Sequence, residues 1–363
     1  MSTPHAERQQ AVMDALASLH ADAFLTFDPD NRRYLSGFTG SAGHVVLTAG
    51  GGKYFVSDPR YTERAQREAA GFEVIETHVE KGPDLWGALT YVAERAGIRR
   101  LAFEAALVSV AWHAAATAAL GGLALMPSEG VVERLRRTKD AAELAALRRA
   151  QAITDEVFAH ILGHVVPGVS ERDIAVELRH QIELRGARNY ANLPIIASGA
   201  RSAEGHAYAT DKRVEAGDLV LMDFGAAVDG YYADMTRTVV CGPATPQQRA
   251  VHDLVQRAIA DGLACVRAGA TTFSVKKAGR TAILEAGYGD RIRPGLGHGI
   301  GLQVHEAPFM RNDVALFEGD VITFEPGIYL PGWGGVRIED AVLVTADGCE
   351  PLPASPRELI ETG

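Results

Sequence analysis

The sequence predicts an α/β N-terminal domain, residues 1–130, followed by an α+β C-terminal domain, residues 131–363. Three observations lead to this prediction. A chain of 363 residues is long enough to bury two separate cores. Its first third alternates short apolar runs with amphipathic segments, which is typical of an α/β layer structure. The later part combines helical segments with a hairpin signal, and a hairpin joins antiparallel strands.

The first domain contains short apolar runs with the composition of strands and longer segments with the spacing of helices. Apolar and β-branched residues dominate the short runs, and these residue types favour strands. The predicted strands are residues 22–27, 44–48, 53–58, 73–78 and 101–107, and the predicted helices are residues 83–97 and 109–120. The alternation of the two kinds of segment supports a layered α/β arrangement.

Residues 105–128 form a stretch that is long enough to cross a bilayer, and His113 is its only titratable residue. Three features argue against a membrane span. About half of the stretch is alanine and glycine, Ser109 can cap a helix, and a Gly-Gly pair at 121–122 interrupts the run. The sequence therefore predicts a helix followed by a buried strand.

The second domain is predicted to begin with one long helix. Residues 131–159 are rich in charge and carry apolar residues at helical spacing. Two further helices are predicted within residues 170–186 and 245–269, and glycine-rich strand-and-turn sequence follows to the end of the chain. The mixture of helices and hairpins indicates α+β structure rather than a doubly wound parallel sheet.

Composition and charge narrow the class of partner. The formal net charge is -10 and no basic run is present, so nucleic acid and anionic membrane surfaces would be repelled. A small molecule is therefore the expected partner. Cys241, Cys265 and Cys349 are odd in number and far apart, which favours a reducing compartment over disulfides or thiolate zinc. The first residues lack the basic start and apolar core of a signal peptide, so we expect a cytoplasmic location.

Two aspartates flank a strong hairpin signal. Asp229 and Gly230 form an Asp-Gly pair between two strand-like runs. With a two-residue loop, the numbers of paired positions sum to an odd number, so Asp223 and Asp234 face the same side of the hairpin and are predicted to be neighbours. Two like charges on an apolar strand pair are destabilising unless a positive charge lies between them. The sequence therefore predicts a cation between Asp223 and Asp234.

A second pair of carboxylates extends this candidate site. Glu325 ends one apolar strand run and Glu339 lies inside another. A glycine-rich segment ahead of them presents His298 and, seven residues later, His305. The carboxylates of both pairs together with one imidazole carry a formal charge of about −4, which two divalent ions would neutralise. This oxygen-rich donor set without thiolates suits Mn, Co or Zn.

Four motifs of the second domain match those of a known family. They are D-F-G-A-x3-G-Y-Y-A-D-M-T-R-T from Asp223, G-H-G-I-G-L-Q-V-H-E from Gly297, F-E-P-G from Phe324 and V-R-I-E-D from Val336. The motifs resemble those of the pita-bread metallopeptidases, which include methionine aminopeptidase, prolidase and aminopeptidase P. The resemblance implies a C-terminal catalytic domain of the pita-bread (creatinase/aminopeptidase) fold.

The resemblance also implies roles for individual residues. The implied ligands of two divalent metal ions, with Mn favoured and Co or Zn as alternatives, are Asp223, Asp234, His298, Glu325 and Glu339. Glu339 would bridge the ions, a bridging hydroxide would be the nucleophile, and Glu325 would assist proton transfer. His206 and His305 would contact the substrate near the scissile carbonyl. Arg337 lies two residues before Glu339 on a strand and would order a ligand carboxylate or bind substrate.

The N-terminal domain favours a proline-directed peptidase. Residues 31–48 and 54–68 resemble the N-terminal domain of aminopeptidase P, in which the stretches G-F-T-G-S-A-G and D-x-R-Y recur. Methionine aminopeptidases usually lack a domain of this size. The resemblance therefore implies an aminopeptidase that hydrolyses the Xaa-Pro bond at the N-terminus of small peptides with proline at the second position. It also implies a homodimer.

Other members of the family give the alternatives. Prolidase cleaves only Xaa-Pro dipeptides and needs an extra cation for the free carboxylate behind the proline, for which Arg33, Arg60 and Arg201 are candidates. Methionine aminopeptidase is a further alternative. So is a non-catalytic pita-bread binding protein or a creatinase-like enzyme that works without metal, but such members usually lose ligands, and all five ligand positions are filled here. We therefore favour aminopeptidase P.

Overall fold

The computed structural model describes residues 4–77, 84–189 and 194–363 of the chain. The chain folds into two compact units, Met1–Arg136 and Arg137–Gly363. The first unit has an α/β arrangement, and the second combines a large, mostly antiparallel sheet with helices.

The first unit is built on one mixed sheet. Its strands are β1 (Ala23–Leu25), β2 (His44–Thr48), β3 (Lys53–Ser57), β4 (Glu73–Glu76), β5 (Arg100–Glu104) and β6 (Ala124–Ser128). They lie in the order β4-β3-β2-β1-β5-β6, with β1 antiparallel to β2 and parallel to β5. Its helices are α1 (Pro4–Ala15), α2 (Pro29–Ser36), α3 (Thr62–Glu68), α4 (Leu85–Ala96) and α5 (Val110–Ala119). Apolar residues of the sheet, α4 and α5 form a shared core.

The predicted strands and helices of this unit are present, with three differences. The strand predicted for residues 101–107 ends at Glu104, and Ala105–Leu107 form a 3-10 helix instead. The strand β6 was expected to be buried, but it is mostly exposed or half-buried because it lies at the edge of the sheet. The helices α1, α2 and α3 are not predicted, although Asp28 caps α2 by accepting a hydrogen bond from the Asp30 amide at 2.7 Å. His78 in a predicted strand and Pro83 in a predicted helix lie outside the described residues.

The stretch at residues 105–128 forms α5 and β6, as predicted. Ser109 is the N-cap of α5, and its hydroxyl accepts a hydrogen bond from the Trp112 amide at 3.0 Å. Among the described residues, none of the helices combines the length and the apolar character that crossing a bilayer requires.

The second unit contains most of the strands. Its helices are α6 (Glu133–Arg137), which contains the unit boundary, α7 (Ala141–Leu162), α8 (Glu171–Leu184), α9 (Pro246–Leu263) and α10 (Thr272–Glu285). Its strands are β7 (Arg188–Asn189), β8 (Ile195–Ser198), β9 (Leu219–Phe224), β10 (Ala226–Val228), β11 (Tyr231–Tyr232), β12 (Met235–Cys241), β13 (His298–Gly299), β14 (Glu306–Phe309), β15 (Val321–Phe324), β16 (Gly327–Leu330), β17 (Gly334–Arg337), β18 (Glu339–Val344), β19 (Cys349–Pro351) and β20 (Glu361–Thr362).

The main sheet of this unit runs in the order β14-β13-β15-β18-β12-β9-β8, with β19 beside β18 and β20 beside β12. Neighbouring strands along this path are antiparallel, whereas β20 is parallel to β12. Two smaller sheets have the orders β11-β10-β7 and β16-β17. The antiparallel pairing confirms the predicted α+β class for this unit.

The long helix predicted for residues 131–159 is wrong in one respect, because the structure divides it into α6 and α7. Asp140 is the N-cap of α7, and its carboxylate accepts hydrogen bonds from the amides of Ala142 at 2.8 Å and Glu143 at 2.9 Å. The Glu143 side chain in turn accepts a hydrogen bond from the Asp140 amide at 3.0 Å. This reciprocal capping box starts a new helix at Ala141 and ends the preceding one.

Helix α10 lies in a region that the sequence assigns to strands and turns. Its segment contains Gly279 and several β-branched residues, which lower helix propensity. Packing explains the glycine, because a Cβ atom at Gly279 would lie 2.4 Å from the Phe324 ring and one at Gly262 of α9 would lie 2.2 Å from it. Both helices therefore pack directly on Phe324, the residue before Glu325.

The predicted hairpin turn forms at Asp229 and Gly230. Their φ angles are 49° and 81°, and two positive φ values are the requirement of a type I′ turn. Beyond the turn, the pairing of β9 with β12 places Thr236 opposite Asp223. Asp234, two residues before Thr236, is therefore diagonal to Asp223 rather than directly opposite it.

Candidate metal centre and active site

Five neighbouring strands of the main sheet, in the order β13-β15-β18-β12-β9, each bring one predicted ligand to the same edge. His298 begins β13, Glu325 directly follows β15, Asp234 directly precedes β12, and Asp223 is the penultimate residue of β9. Glu339 begins β18, whereas the sequence places it inside a strand. Because the strands are antiparallel, the ends of β9 and β15 lie beside the starts of β12 and β18. Residues far apart in the chain therefore meet.

A cavity of about 370 Å³ lies at this edge. The residues predicted as metal ligands or catalytic groups all line it: His206, Asp223, Asp234, His298, His305, Glu325, Arg337 and Glu339. His206 enters from a loop that follows a short 3-10 helix, Gly199–Glu204. The structure thus brings the whole predicted set together, and their individual roles stay predictions.

Three of these residues have the geometry of a metal site. Asp234, His298 and Glu339 are buried, and one ligand atom from each lies within 4.8 Å of the other two. The Nδ1 atom of His298 lies 3.1 Å from the Gly299 carbonyl oxygen. A carbonyl only accepts hydrogen bonds, so Nδ1 carries the proton and Nε2 keeps its lone pair. Nε2 lies 3.6 Å from Asp234 Oδ2, an orientation that suits metal ligation.

Arg337 provides positive charge within the carboxylate group. Its guanidinium is 3% exposed, donates to Asp223 through Nη2, and donates to the Gly205 carbonyl and the Tyr329 hydroxyl at 3.2 and 3.0 Å. Its Nε atom donates to Thr236 Oγ1 at 3.1 Å. With all three nitrogens engaged, the guanidinium is fixed in position and holds Asp223 in place.

Burial raises the pKa of both the Glu325 and the Glu339 carboxyl above the ordinary value. For Glu339, the negative charges of Glu325 and Asp223 raise the pKa further, and the positive charge of Arg337 opposes them. The guanidinium of Arg337 therefore balances only part of the negative charge of these carboxylates. Divalent cations would balance it, and a set of carboxylates with one imidazole suits hard or borderline metals. The residues present thus fit a divalent metal centre.

Two histidines lie beside these carboxylates. The ring centroids of His298 and His305 are 4.2 Å apart in an edge-to-face arrangement. Burial, followed by the neighbouring His298, lowers the pKa of His305 to about 4, so its imidazole is neutral under physiological conditions. The next residue, Glu306, anchors the loop by accepting a hydrogen bond from the buried Lys139 at 2.9 Å. His206 is exposed on the wall of the cavity.

The three cations predicted for a substrate carboxylate are absent from the described residues that line the cavity. Arg33 and Arg60 belong to the first unit. Arg201 is bound to the buried Glu171. A different cation, Arg293, lines the cavity, and no motif or periodicity in the sequence marks it.

Thr236 and Tyr329 are two further residues of the site that are not predicted from the sequence. The Thr236 hydroxyl donates to Glu339 Oε2 at 2.7 Å and accepts from Arg337 Nε at 3.1 Å, so it links the cation to the carboxylate. Tyr329 lines the cavity and accepts a hydrogen bond from Arg337. Thr236 belongs to the motif that starts at Asp223, which is a signal that could have identified it.

Thr236→Val is expected to weaken metal activation by about 10- to 100-fold, because loss of a hydrogen bond that orients a ligand typically costs this much in metal affinity. Valine keeps the shape of the side chain and removes the donor to Glu339. The measurement is the concentration of Mn²⁺ that gives half of the maximal rate of hydrolysis of an Xaa-Pro peptide, the substrate that the resemblance implies. Thr236→Ser keeps the hydroxyl and should restore most of the affinity. Equal metal requirements in the Val and Ser variants would contradict the proposed link.

Comparison with known sequences identifies the family. Residues 145–346, more than half of the chain, match metallopeptidase family M24. The chain belongs to metallopeptidase family M24. Residues 8–138 match the Creatinase/Prolidase N-terminal domain that accompanies the M24 domain here. The two matches together cover nearly the whole chain.

Solved structures and related sequences span the chain almost end to end. The Xaa-Pro dipeptidase from Bacillus anthracis superposes with a TM-score of 0.94 at 36% identity, covering 98% of this chain and 99% of its own. The X-Pro aminopeptidase from Thermotoga maritima superposes with a TM-score of 0.90 at 34% identity, again covering 98% and 99%. The Xaa-Pro dipeptidase of Pyrococcus horikoshii is 32% identical over 98% of this chain and 99% of its own length.

These comparisons confirm the predicted family and fold. The M24 unit has the pita-bread fold, and the unit before it is of the Creatinase/Prolidase N-terminal type. M24 metallopeptidases bind divalent metal ions, which agrees with the ligand geometry described above.

Proposed function

We propose that this chain is an Xaa-Pro dipeptidase that depends on two divalent metal ions. The sequence alone favours aminopeptidase P, and the alternative is now better supported because the relatives similar over nearly the whole chain include two that are named Xaa-Pro dipeptidases. One structural observation carries the choice. Arg293 lines the cavity and makes no ion pair with the described carboxylates.

Arg293 has the surroundings of a ligand-binding cation. Its guanidinium carbon lies 4.9 Å from the centre of the Tyr329 ring, and its only other polar contact among the described residues is a long one of 3.5 Å to the Ala203 carbonyl. It packs on Gly205, where a Cβ atom would lie 2.4 Å from that carbon. A dipeptide carries its carboxylate directly on the proline, and a guanidinium binds a carboxylate through two parallel hydrogen bonds. Arg293 would therefore select for a free proline carboxylate.

The carboxylates and His298 would hold the metal ions. We assign the ligand role to Asp223, Asp234, His298, Glu325 and Glu339, which all line the cavity. When bound, two such ions polarise a scissile carbonyl and lower the pKa of water. Arg337 keeps Asp223 in position, and Thr236 orients Glu339 by donating to Oε2. These contacts support a preformed arrangement of ligands.

Protein groups would carry the proton and position the substrate. As the water oxygen bonds to the scissile carbonyl carbon, Glu325 accepts the proton that water loses. Glu325 then returns this proton to the proline nitrogen as the C–N bond breaks, which leaves the free amino acid and proline. The neutral His305 donates a hydrogen bond to the substrate. His206 contacts the substrate from the wall of the cavity, where its side chain is exposed. Both imidazoles line the same cavity as Glu325.

Aminopeptidase P activity is the second candidate. It is favoured by the X-Pro aminopeptidase from Thermotoga maritima, which is 34% identical over 98% of this chain, and by the N-terminal motifs. Methionine aminopeptidase is less well supported, because residues 8–138 match the Creatinase/Prolidase N-terminal domain. A non-catalytic role is also less well supported, since the five ligand positions are filled and lie around one cavity.

Arg293→Gln is expected to lower kcat/KM for the dipeptide Ala-Pro by about 10- to 100-fold, because a hydrogen bond to a charged group contributes about 1.5–3 kcal/mol. The amidated dipeptide Ala-Pro-NH₂ and the tripeptide Ala-Pro-Ala lack a carboxylate on the proline. Their slower hydrolysis should be unchanged by the substitution. The measurement is steady-state hydrolysis of the three substrates with Mn²⁺ by the wild type and the variant.

Two controls accompany this test. Arg291→Gln removes an equal charge from an exposed residue that does not line the cavity, and it should leave all three rates unchanged. Arg293→Lys keeps the charge and should retain part of the dipeptide activity. A wild-type enzyme that prefers Ala-Pro-Ala to Ala-Pro would replace the dipeptidase proposal with aminopeptidase P. Equal losses on all three substrates in Arg293→Gln would remove Arg293 from carboxylate recognition.

We also propose Mn²⁺ as the activating metal, with Co²⁺ or Zn²⁺ as alternatives, on the basis of the oxygen-rich donor set. The family resemblance supports a homodimer and a domain boundary near residue 130. The free cysteines at positions 241, 265 and 349 support a reducing compartment, and therefore the cytoplasm. The substrate is a small peptide with proline at its second position, and neither nucleic acid nor membrane is an expected partner.

A further inference from the structure

A second group of potential metal ligands lies on the surface of the M24 unit. It consists of His160 in the last turn of α7, His164 just beyond the end of α7, and Glu177 in the middle of α8. One ligand atom from each of these three residues lies within 4.8 Å of the other two. The two rings are 4.5 Å apart, centroid to centroid, and tilted by 34°. None of the three residues lines the cavity described above.

The hydrogen bond of His164 fixes which nitrogen is available to a metal. Its Nδ1 atom lies 3.2 Å from the His160 carbonyl oxygen, and a carbonyl only accepts, so Nδ1 carries the proton. The neutral ring therefore presents an unprotonated Nε2, which lies 3.9 Å from Glu177 Oε1. Metal-binding histidines usually donate their other ring N–H to a carbonyl or carboxylate in this way.

Glu177 is also oriented toward the two imidazoles. Its Oε1 atom lies 2.7 Å from His160 Nε2 and accepts a hydrogen bond from Gln181 at 2.8 Å. The hydrogen bond with His160 and, to a smaller extent, the one with Gln181 lower the pKa of the Glu177 carboxyl, so this group is ionised. Among the described residues, no lysine or arginine forms an ion pair with Glu177. The carboxylate therefore faces two imidazoles and the neutral Gln181 amide.

The distances between the candidate ligand atoms lie on either side of the separation that a small tetrahedral ion requires. Bonds of about 2.0–2.1 Å to zinc place neighbouring ligand atoms about 3.3 Å apart. The Glu177 Oε1 atom lies 2.7 and 3.9 Å from the two Nε2 atoms, on either side of that separation. Small rotations of half-buried side chains would equalise the distances. His160 would shift its proton from Nε2 to Nδ1 and so free a second lone pair.

We propose that His160, His164 and Glu177 form a binding site for a divalent transition-metal ion of the Zn²⁺ class, separate from the dinuclear centre. Two imidazoles and one carboxylate favour Zn²⁺, Ni²⁺ or Cu²⁺ over Mn²⁺, Mg²⁺ and Ca²⁺. The site thus differs in metal preference from the carboxylate-rich cavity. An ion held here ties the end of α7 to α8 and stabilises the packing of these two helices.

The test uses Zn²⁺ alone as the probe on the chelator-treated, full-length chain. Equilibrium dialysis counts the Zn²⁺ bound per chain in the wild type and in the double variant His160→Gln/His164→Gln. The dinuclear centre is common to both proteins, so the difference reports the surface site. The double variant is expected to bind one Zn²⁺ fewer per chain. At a Zn²⁺ concentration of 100 times the Kd of this site, the wild type should gain about 3–6 °C more in Tm than the variant.

His180→Gln is the matched control, because His180 lies exposed on α8 outside this group. It should bind as much Zn²⁺ as the wild type. The single variant His164→Gln should lose the same ion as the double variant, and Mn²⁺-dependent hydrolysis should be unchanged in all of them. Equal Zn²⁺ stoichiometry and equal Tm shifts in the wild type and the double variant would overturn the proposal. An equal loss in His180→Gln would overturn it as well.

Discussion

Glu339→Gln is expected to lower Mn²⁺-dependent hydrolysis of Ala-Pro by at least about a thousandfold, because catalysis by bound metal contributes several kcal/mol to the rate. Glu339 is 2% exposed, lies within ligand distance of Asp234 and His298, and begins the central strand β18. Glutamine keeps the size of the side chain and removes its charge. The measurement is steady-state hydrolysis over a range of Mn²⁺ concentrations.

Glu339→Gln should not lower the thermal stability of the metal-free protein, although it lowers the activity. The charges of Glu325 and Asp223 repel the Glu339 carboxylate, and burial disfavours its charged form. A neutral glutamine relieves both costs, so the Tm of the chelator-treated variant should equal or exceed that of the wild type. Glu318→Gln is the charge-matched control, since Glu318 is exposed and outside the cavity. A variant that keeps wild-type activity would contradict the assignment of Glu339 as a ligand.

Arg337→Met is expected to lower the free energy of unfolding of the metal-free protein by about 3–5 kcal/mol, the usual cost of removing one partner of a buried ion pair. Arg337 is 3% exposed and is bound to Asp223, Thr236 and Tyr329. Without it, the carboxylates of the cavity lose their internal positive charge. Urea denaturation of the chelator-treated wild type and variant measures the difference.

Two further measurements, one with added Mn²⁺ and one on a double variant, make the test of Arg337→Met specific. With Mn²⁺ bound, positive charge is restored to the cavity, so the destabilisation by Arg337→Met should be smaller than in the metal-free protein. In the double variant Arg337→Met/Asp223→Asn, the carboxylate that Arg337 contacts is neutral, and part of the lost stability should return. The same destabilisation with and without Mn²⁺, together with strict additivity of the two substitutions, would show that Arg337 acts through packing alone.

The sequence predicts those features that local physics determines. The type I′ turn at Asp229 and Gly230, and the cap at Ser109, depend on residues that are adjacent in the chain. The capping box of Asp140 and Glu143 is equally local and could have divided the predicted long helix. The five predicted ligands each lie in a motif or interrupt an apolar strand, and these local signals are the reason why the sequence alone predicts them.

The features that are not predicted from the sequence depend on long-range packing. Gly279 reads as a helix breaker, yet it is the residue that lets α10 contact Phe324. Arg293 lies on a loop, and only the folded chain brings it against Tyr329. The order of strands in the sheet is also hard to predict from the sequence, because three of the pairs, β13–β15, β15–β18 and β18–β12, join strands that are not consecutive in the chain. The diagonal offset of Asp223 and Asp234, by contrast, follows from the local hairpin register, in which Thr236 lies opposite Asp223.

The proposed metal ligands lie where five strands begin or end, and their order in the chain determines when the full set can form. Asp223 and Glu339 lie at opposite ends of the segment that builds the edge, and the other three ligands lie between them in the chain. No contiguous fragment shorter than this segment holds the full set, so a nascent chain reaches full affinity only after β18 has been synthesised and paired. Ions bound there would close long loops, much as a set of cross-links does. If these five residues hold the metal ions as proposed, tight metal binding therefore requires completed assembly of the sheet.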